Sequence, residues 1–379
     1  MKIIDANILR LSPEKTVKII EKLKPEIIGI TIYSGTYLWV KRFVFLLKKS
    51  CPRVKIVVGG PHISHLLLDT MNDIKEIDIG VAGAGEEVMR KIVNEDMSSL
   101  QGVGYREREK IIIKPGYNII ENLDSLPFPD RTSPFRRKYY SFGLKKPTFT
   151  IITSRGCPFN CLFCAKMWNT VKFRGIKNVI KEWDSLVKNG ARSIFIADDT
   201  FTLNKKRVIK MCKELVEKGL NKVEWGCQTR VDAIDEEILY WLKKAGCRNT
   251  FFGIESFSQR SLNEINKRIT VSQIKESLKL SKKYGFTVFS SFVIGLPNEK
   301  LKDLVTTREY LKTYRKYIDI ATFHFLQPFP GSPLFSILYK RKKLRWWEVK
   351  FGVNEQLHIP KYIINKEIYS KEYKKSLDS

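Results

Sequence analysis

Phe149-Thr150-Ile151-Ile152-Thr153 runs through Ser154-Arg155-Gly156 into Cys157-Pro158-Phe159-Asn160-Cys161-Leu162-Phe163-Cys164. The first five residues have the length and β-branched composition of a buried strand, and the glycine marks a turn at its carboxyl end. Beyond the turn a C-x3-C-x2-C spacing sets three thiols on one short loop. Three thiolates so placed suit a soft metal or an iron–sulfur centre, and a [4Fe–4S] cluster held by three cysteines keeps one iron open to chemistry. A structural zinc would want a fourth ligand, nominally His324, although a lone histidine on a strand also suits a core or pocket position; coincidence is the remaining alternative. Cys51, Cys212, Cys227 and Cys247 are scattered over helical and strand patterns, and most of them read as small buried hydrophobes.

Downstream the strand–helix alternation repeats. Strands are expected at 149–153, 193–197, 223–228, 250–254, 287–294 and 319–325, with helices at 176–188, 205–218, 235–245, 271–284 and 300–316. Six such repeats without a seventh or eighth predict an incomplete (β/α)6 barrel over 148–326, with its active site at the strand carboxyl ends and a short tail at 327–379.

Upstream, Ile27 to Ile32, Val54 to Val58 and Ile77 to Val81 read as strands, separated by helical spacing from Pro13 to Leu23 and from Leu38 to Lys48. Ser12-Pro13-Glu14 supplies an N-cap and a proline at the first helical position. This pattern predicts an α/β, doubly wound, Rossmann-like domain over 1–100 with its ligand loops at the strand carboxyl ends. Those ends are Tyr33-Ser34-Gly35-Thr36, Gly59-Gly60-Pro61-His62 and Gly83-Ala84-Gly85-Glu86; no G-x-G-x-x-G fingerprint is present. Residues 101–147 read as a hairpin and a connector, Leu126-Pro127-Phe128-Pro129 favouring extended chain.

With 379 residues, 43% hydrophobic and 28% charged, the composition excludes a peptide, a disulfide miniprotein and a coiled coil. No run approaches the ~20 apolar residues of a membrane span, so no integral membrane segment is expected. Met1-Lys2-Ile3-Ile4-Asp5 enters a strand-like segment without the apolar core of a secretory signal, and the chain reads as cytoplasmic. The net charge of +28 opens nucleic acid as a partner class, but the lysines are dispersed, as in thermophiles or AT-rich genomes. The densest runs, Arg136-Arg137-Lys138 and Lys340-Arg341-Lys342-Lys343 with Arg345, suit solvated faces or phosphate contacts.

Together these motifs resemble the radical S-adenosylmethionine (SAM) superfamily, over nearly the whole chain. In that family the pattern of Cys157, Cys161 and Cys164 binds a [4Fe–4S] cluster whose open iron chelates SAM, and cleavage of SAM yields a 5′-deoxyadenosyl radical that abstracts hydrogen from an unactivated carbon. The resemblance implies that Phe163 lies near the adenine and that Asp198, Asp199 and Thr200 meet the SAM amino group; a helix N-cap is the competing reading of the same residues. It further implies Gln228, Arg230, Glu255, Ser256, Ser290, Gly295 and Leu296 in binding the SAM carboxylate, ribose and adenine. The chemistry is sensible: glutamate accepts ribose hydroxyls, arginine clamps a carboxylate, and glycine lets backbone approach a flat base.

A doubly wound domain ahead of such a barrel is similar to the cobalamin (B12)-binding subclass. There the loops matching Thr31, Tyr33, Ser34, Gly35, Thr36, Gly59, Gly60, Gly85 and Glu86 surround the corrin and its nucleotide tail. A D-x-H-x-x-G motif is absent, so cobalamin is expected without a histidine ligand, His62 and His65 lying near the tail. Relative to the subclass, the first strand and helix that should precede Ile3-Ile4-Asp5-Ala6-Asn7 are missing, through truncation or reduction; a domain kept for packing or substrate contact is the alternative. The reading is a cobalamin-dependent C-methyltransferase fed by a flavodoxin- or ferredoxin-type electron donor, its substrate a lipid, peptide or protein, small molecule or RNA. A radical SAM enzyme without net methyl transfer is the first rival. An RNA-modifying or RNA-binding protein is the second, with no appended basic-aromatic module to support it.

Overall fold

A computed structural model describes residues 2–96, 99–108, 110–131 and 136–340. Trp346, Trp347 and the basic residues from Arg341 to Arg345 lie outside the described residues. Among the described residues two compact units emerge, one built from the chain up to Glu121 together with 163–167 and 328–340, the other from Asn122–Leu162 and Trp168–Gln327.

The first unit runs α1 (Pro13–Leu23), β1 (Ile27–Thr31), α2 (Tyr37–Ser50), β2 (Lys55–Gly59), α3 (Pro61–His65), α4 (Leu67–Asp73), β3 (Ile79–Val81), α5 (Glu86–Val93), β4 (Val103–Glu107) and β5 (Lys110–Lys114). Helix α1 starts where the sequence says it should: the Ser12 hydroxyl accepts from Lys15 N at 3.3 Å and Pro13 follows. Its sheet has the order β1-β2-β3-β4-β5, parallel through β3 and antiparallel after it. Val57, Ile79, Val81, Val88, Ile92, Leu100 and Val103 form one core of this unit. The hairpin, read from sequence with the connector, is thus the far edge of the first sheet: β4 bonds β3 through Gly80↔Gly104 and Val81↔Val103. Ile3-Ile4-Asp5 is a second difference. It is not a strand, and Ile3 is 65% exposed, because no neighbouring strand takes its backbone groups; β1 is an edge that bonds β2 alone among the described residues.

The second unit contains β6 (Thr148–Ile151), the short antiparallel pair β7 (Ser154–Arg155) and β8 (Lys172–Phe173), α6 (Ile176–Lys188), β9 (Ser193–Ile196), α7 (Lys205–Glu217), β10 (Glu224–Thr229), α8 (Glu236–Lys244), β11 (Cys247–Glu255), α9 (Gln259–Glu264), α10 (Val271–Lys283), β12 (Thr287–Ile294), α11 (Leu301–Tyr314) and β13 (Ile320–Phe325). Its six parallel strands are ordered β6-β9-β10-β11-β12-β13, each beside its predecessor, which is the open (β/α)6 barrel. The outer face of the sheet packs on the helices through Trp183, Trp225, Phe201 and Phe252, with the Trp183–Trp225 and Phe201–Trp225 rings edge-on at 5.7 Å. Cys212, Cys227 and Cys247 are fully buried in this layer, as small hydrophobes should be. The inner face carries Phe195, Phe251 and Phe289, whose rings meet at 5.2 and 4.2 Å.

Candidate active site

The cysteine loop is fastened to the second unit at each turn of the chain. Gly156 has φ +96°, and a Cβ there would run into the carbonyl oxygen of Thr170, so only glycine passes. Cys157 N then donates to Trp168 O at 3.3 Å, Leu162 N to Ile265 O at 2.9 Å, and Asn266 Nδ2 to Asn160 O at 2.8 Å. The Arg230 guanidinium lies 3.7 Å from the centroid of the Phe159 ring, a close cation–π contact inside the motif. Cys161 is buried, Cys157 and Cys164 half-buried. Among the described residues no three Cys, His, Asp or Glu side chains stand gathered for a metal. The donor set itself fits an iron–sulfur cluster: three soft sulfur ligands on a short loop of fixed ends. His324 is exposed on β13, its Nε2 3.3 Å from Thr322 Oγ1, and offers no fourth ligand.

The strand-end residues divide into those engaged within the protein and those left open. Asp198 is 1% exposed and accepts from Thr153 N and Thr153 Oγ1 at 2.6 Å and from Ser154 Oγ at 2.7 Å. Burial pushes its carboxyl up while those bonds pull it down. Its work is to hold β6 and β7, and so the start of the cysteine loop. The exposed Asp199 accepts from Gly156 N at 3.2 Å and does the same. Thr200 is buried, its hydroxyl on Asp199 O at 2.8 Å. The N-cap reading goes to Asn204 instead, whose side chain accepts from Arg207 N at the start of α7.

Gln228 is exposed at the end of β10 and open to a ligand. Arg230 is not: it makes two 2.9 Å bonds to Asp232 and one of 2.8 Å to Lys267 O. Glu255, at φ +69°, pairs with Lys267 Nζ at 2.7 Å, both side chains buried. Ser256 Oγ bonds Thr307 Oγ1 at 3.1 Å and accepts from Ser258 N at 3.0 Å, a local staple. Ser290 stands in register with Phe252, on the face turned to the helices, whereas Ser291 shares the other face with Phe251 and Phe289. Gly295, φ +85°, and Leu296 donate backbone N–H groups to Glu299 Oε2 at 2.8 and 3.2 Å, which fixes the turn after β12. Burial raises Glu299 to about 7.

At the carboxyl edge of the first unit's sheet, Thr31 and Gly59 are register partners, so the loops after β1 and β2 open side by side. Ser34–Thr36 forms a single 3-10 turn closed by Tyr33 N donating to Thr36 Oγ1 at 3.2 Å. Gly60, φ +99°, leaves no room for a Cβ against Thr31 and Ile32, while Gly59 and Gly85 face space with no atom nearer than 4 Å. Gly35 is half-buried, Thr36 and Glu86 are exposed, and Tyr33 is 57% exposed. Such a shelf of small residues, open at Gly59 and Gly85, fits a ligand that backbone must approach. His62 is buried, its Nδ1 2.9 Å from Ser34 Oγ and its ring 4.8 Å from Tyr37, and burial lowers it to about 4. It ties the first loop to the second as a neutral ring. Gly83 serves packing, its missing Cβ making way for Asn118.

Lys267 and Thr153 are the anchors that sequence reading passed over. A lysine among 68 Lys and Arg carries no local mark, and only the fold brings it to Glu255.

Comparison with known proteins agrees with this architecture. The family model for the radical SAM superfamily matches residues 151–311 and that for the B12 binding domain matches 1–93. An uncharacterised methyltransferase of Pyrococcus horikoshii is 34% identical over 344 residues, covering 88% of this chain and 74% of its own. The anaerobic magnesium-protoporphyrin IX monomethyl ester cyclase of Rubrivivax gelatinosus is 31% identical over 88% of this chain, which spans 62% of that enzyme. Among solved structures, the radical SAM methyltransferase TsrM from Kitasatospora setae superposes with a TM-score of 0.76 at 16% identity, over 90% of this chain and 70% of its own. It is a likeness of fold.

Proposed function

Because the chain belongs to the radical SAM superfamily, in the group that carries a B12-binding domain, we propose that it is a cobalamin-dependent C-methyltransferase acting on an unactivated carbon. The observation that carries this reading is the three-cysteine loop anchored at the carboxyl ends of a six-stranded parallel barrel, in a chain whose first 93 residues match the B12 binding domain. When bound, the cluster, SAM and cobalamin supply the electron, the radical chemistry and the methyl group. The protein's own part is positional. Cys157, Cys161 and Cys164 would ligate iron, and Asp198, Asp199 and Arg230 hold their loop. Gln228 is open to SAM, Glu255 and the Gly295–Leu296 turn would meet it from the neighbouring strand ends, and Phe195, Phe251 and Phe289 make the inner face of the barrel apolar. The shelf of Thr31, Tyr33–Thr36, Gly59, Gly60, Gly85 and Glu86 would take the corrin and its tail.

The substrate is a lipid, peptide, small molecule or RNA, and the reductant a flavodoxin- or ferredoxin-type protein. No described helix is long and apolar enough to cross a membrane. The cyclase relatives favour a second reading, a radical reaction without net methyl transfer. One experiment separates the two: anaerobic reconstitution with SAM and cobalamin, then mass analysis of candidate acceptors. Gain of one methylene mass on an acceptor supports methyl transfer. A product formed with SAM cleavage and no such gain supports the cyclase-like chemistry.

A further inference from the structure

The amino end of the barrel, opposite the strand ends that carry the candidate site, is capped by a turn that the proposed reaction does not use. It reads Arg137-Lys138-Tyr139-Tyr140-Ser141-Phe142-Gly143-Leu144-Lys145-Lys146, three aromatic rings between two pairs of cations. The turn is held firmly: Thr148 N donates to Tyr139 O at 3.1 Å, Ser141 N to Thr148 Oγ1 at 3.0 Å, Leu144 N to Ser141 O at 3.1 Å, and Asn249 Nδ2 to Phe142 O at 3.2 Å. Gly143, φ +72°, lies where a Cβ would meet Phe289 and the Asn249 amide. Two rings are nevertheless left in solvent. Tyr140 is 60% and Phe142 64% exposed, the highest values among the large hydrophobic side chains described in the second unit. Lys146 Nζ lies 4.2 Å from the centroid of Tyr140, Lys145 and Arg248 share Glu224 at 3.1 and 3.7 Å, and the exposed Arg192 adjoins the turn through its N–H on Pro147 O at 3.2 Å. With Arg137 and Lys138, the turn and these neighbours set six cations and one carboxylate around the exposed rings.

We propose that this turn docks the protein on an anionic bilayer surface, Tyr140 and Phe142 entering the headgroup layer and the surrounding cations meeting lipid phosphates. Aromatic rings settle at the membrane–water interface, long cationic side chains reach past them to the headgroups, and each Lys or Arg near an anionic leaflet strengthens binding about fivefold. A single-stranded RNA would ask for open ring faces on which bases stack, whereas Tyr140 already carries Lys146 and Phe142 meets Phe289 at 6.1 Å. A second copy of the chain would set these cations against themselves, across two rings where a stable interface buries about 800 Å² per partner. Docking at this end leaves the strand carboxyl ends of the same unit on the aqueous side.

Sedimentation of the full chain with lipid vesicles tests the proposal. It needs neither cluster nor cobalamin, so its failure would leave the proposed reaction standing. Vesicles of equal phosphatidylglycerol and phosphatidylcholine should bind the protein and release it as salt rises, and phosphatidylcholine alone should bind it roughly tenfold more weakly. Arg137→Ser with Lys146→Ser should weaken binding to the anionic vesicles roughly 25-fold, and Tyr140→Ser with Phe142→Ser roughly tenfold, both without a change in thermal midpoint. Lys18→Ser with Lys22→Ser removes the same charge from the exposed side of α1 and should change binding by about twofold at most. Phe142→Trp puts a reporter at the tip, whose emission should move to shorter wavelength on anionic vesicles. The absence of binding to anionic vesicles, equal losses in the α1 variant and the cation variant of the turn, or an unshifted Phe142→Trp emission would each overturn the proposal. So would a labelled single-stranded RNA that binds the turn in preference to the vesicles, or a dimer that Tyr140→Ser with Phe142→Ser dissolves in a protein that binds no vesicle.

Discussion

At the scale of single residues, two buried titratable groups respond to pH in opposite senses, one in each unit. His62 ionises near 4 in the fold against 6.5 ordinarily, so below 6.5 the unfolded chain binds a proton that the folded ring refuses. Its contribution to stability is whole above 6.5 and falls as pH drops to 4, by about 3 kcal/mol at most. Glu299 is raised to about 7 from 4.5, so the fold keeps a proton that the unfolded chain has lost. Stability from this group is greatest below 4.5 and falls as pH rises to 7, again by about 3 kcal/mol. Acidifying from 6.5 to 5 should therefore increase hydrogen exchange in the first unit's sheet and decrease it around β12. His62→Gln should flatten the first response and Glu299→Gln the second; equal responses in variant and wild type would remove these groups as the cause. Neither behaviour was legible in the sequence. His62 looked like a loop histidine after two glycines, and only packing against Tyr37 and Ser34 makes it a buried, neutral tie.

Elements explain why the strands and the motif could be read while several contacts could not. Strand β12 spans the expected 287–294, and α6 the expected 176–188, because periodicity and β-branched runs are local signals. Which face a strand residue occupies follows from register, which is not local; hence Ser290 faces the helices. The bonds of Asp198 were hidden for the same reason: Thr153 and Ser154 sit 45 and 44 residues away, just past the end of β6, which parallel pairing brings alongside β9. Asp198→Ala should leave those three donors buried and unpartnered, each costing about 1–3 kcal/mol, and the first casualty should be the loop they begin. The expected outcome is a protein with native circular dichroism but little iron after reconstitution. Gly156→Ala should act alike, since the new Cβ meets Thr170 O. By contrast Cys212→Ala and Cys247→Ala should hold full iron at some loss of stability, whereas Ala at Cys157, Cys161 or Cys164 should abolish the iron–sulfur absorbance. A triple variant that kept its iron would move the cluster elsewhere.

For the whole molecule, the decisive question is whether the first unit carries cobalamin although its sheet starts at β1. As an edge strand β1 is half-buried, with Ile27, Ile28 and Ile30 all partly exposed. The ligand edge, however, is formed by the carboxyl ends of β1, β2 and β3, which stay adjacent and in register from Thr31↔Gly59 to Val58↔Gly80. Small residues open that edge, and the two nearby histidines are turned to the protein: His62 to Ser34, His65 lowered by burial and packed at 6.5 Å from Tyr117. A corrin bound there should thus lack a histidine ligand on cobalt. Protein purified with hydroxocobalamin should show a corrin spectrum near one equivalent, of the base-off type. His65→Gln should leave the spectrum unchanged, because the ring supplies no ligand. Cys157→Ala with Cys161→Ala should leave it unchanged too, since both residues belong to the other compact unit. A spectrum that shifts in His65→Gln would make that histidine a ligand. No corrin at all, with SAM cleavage intact, would end the methyltransferase reading and leave the chemistry of the cyclase relatives in its place.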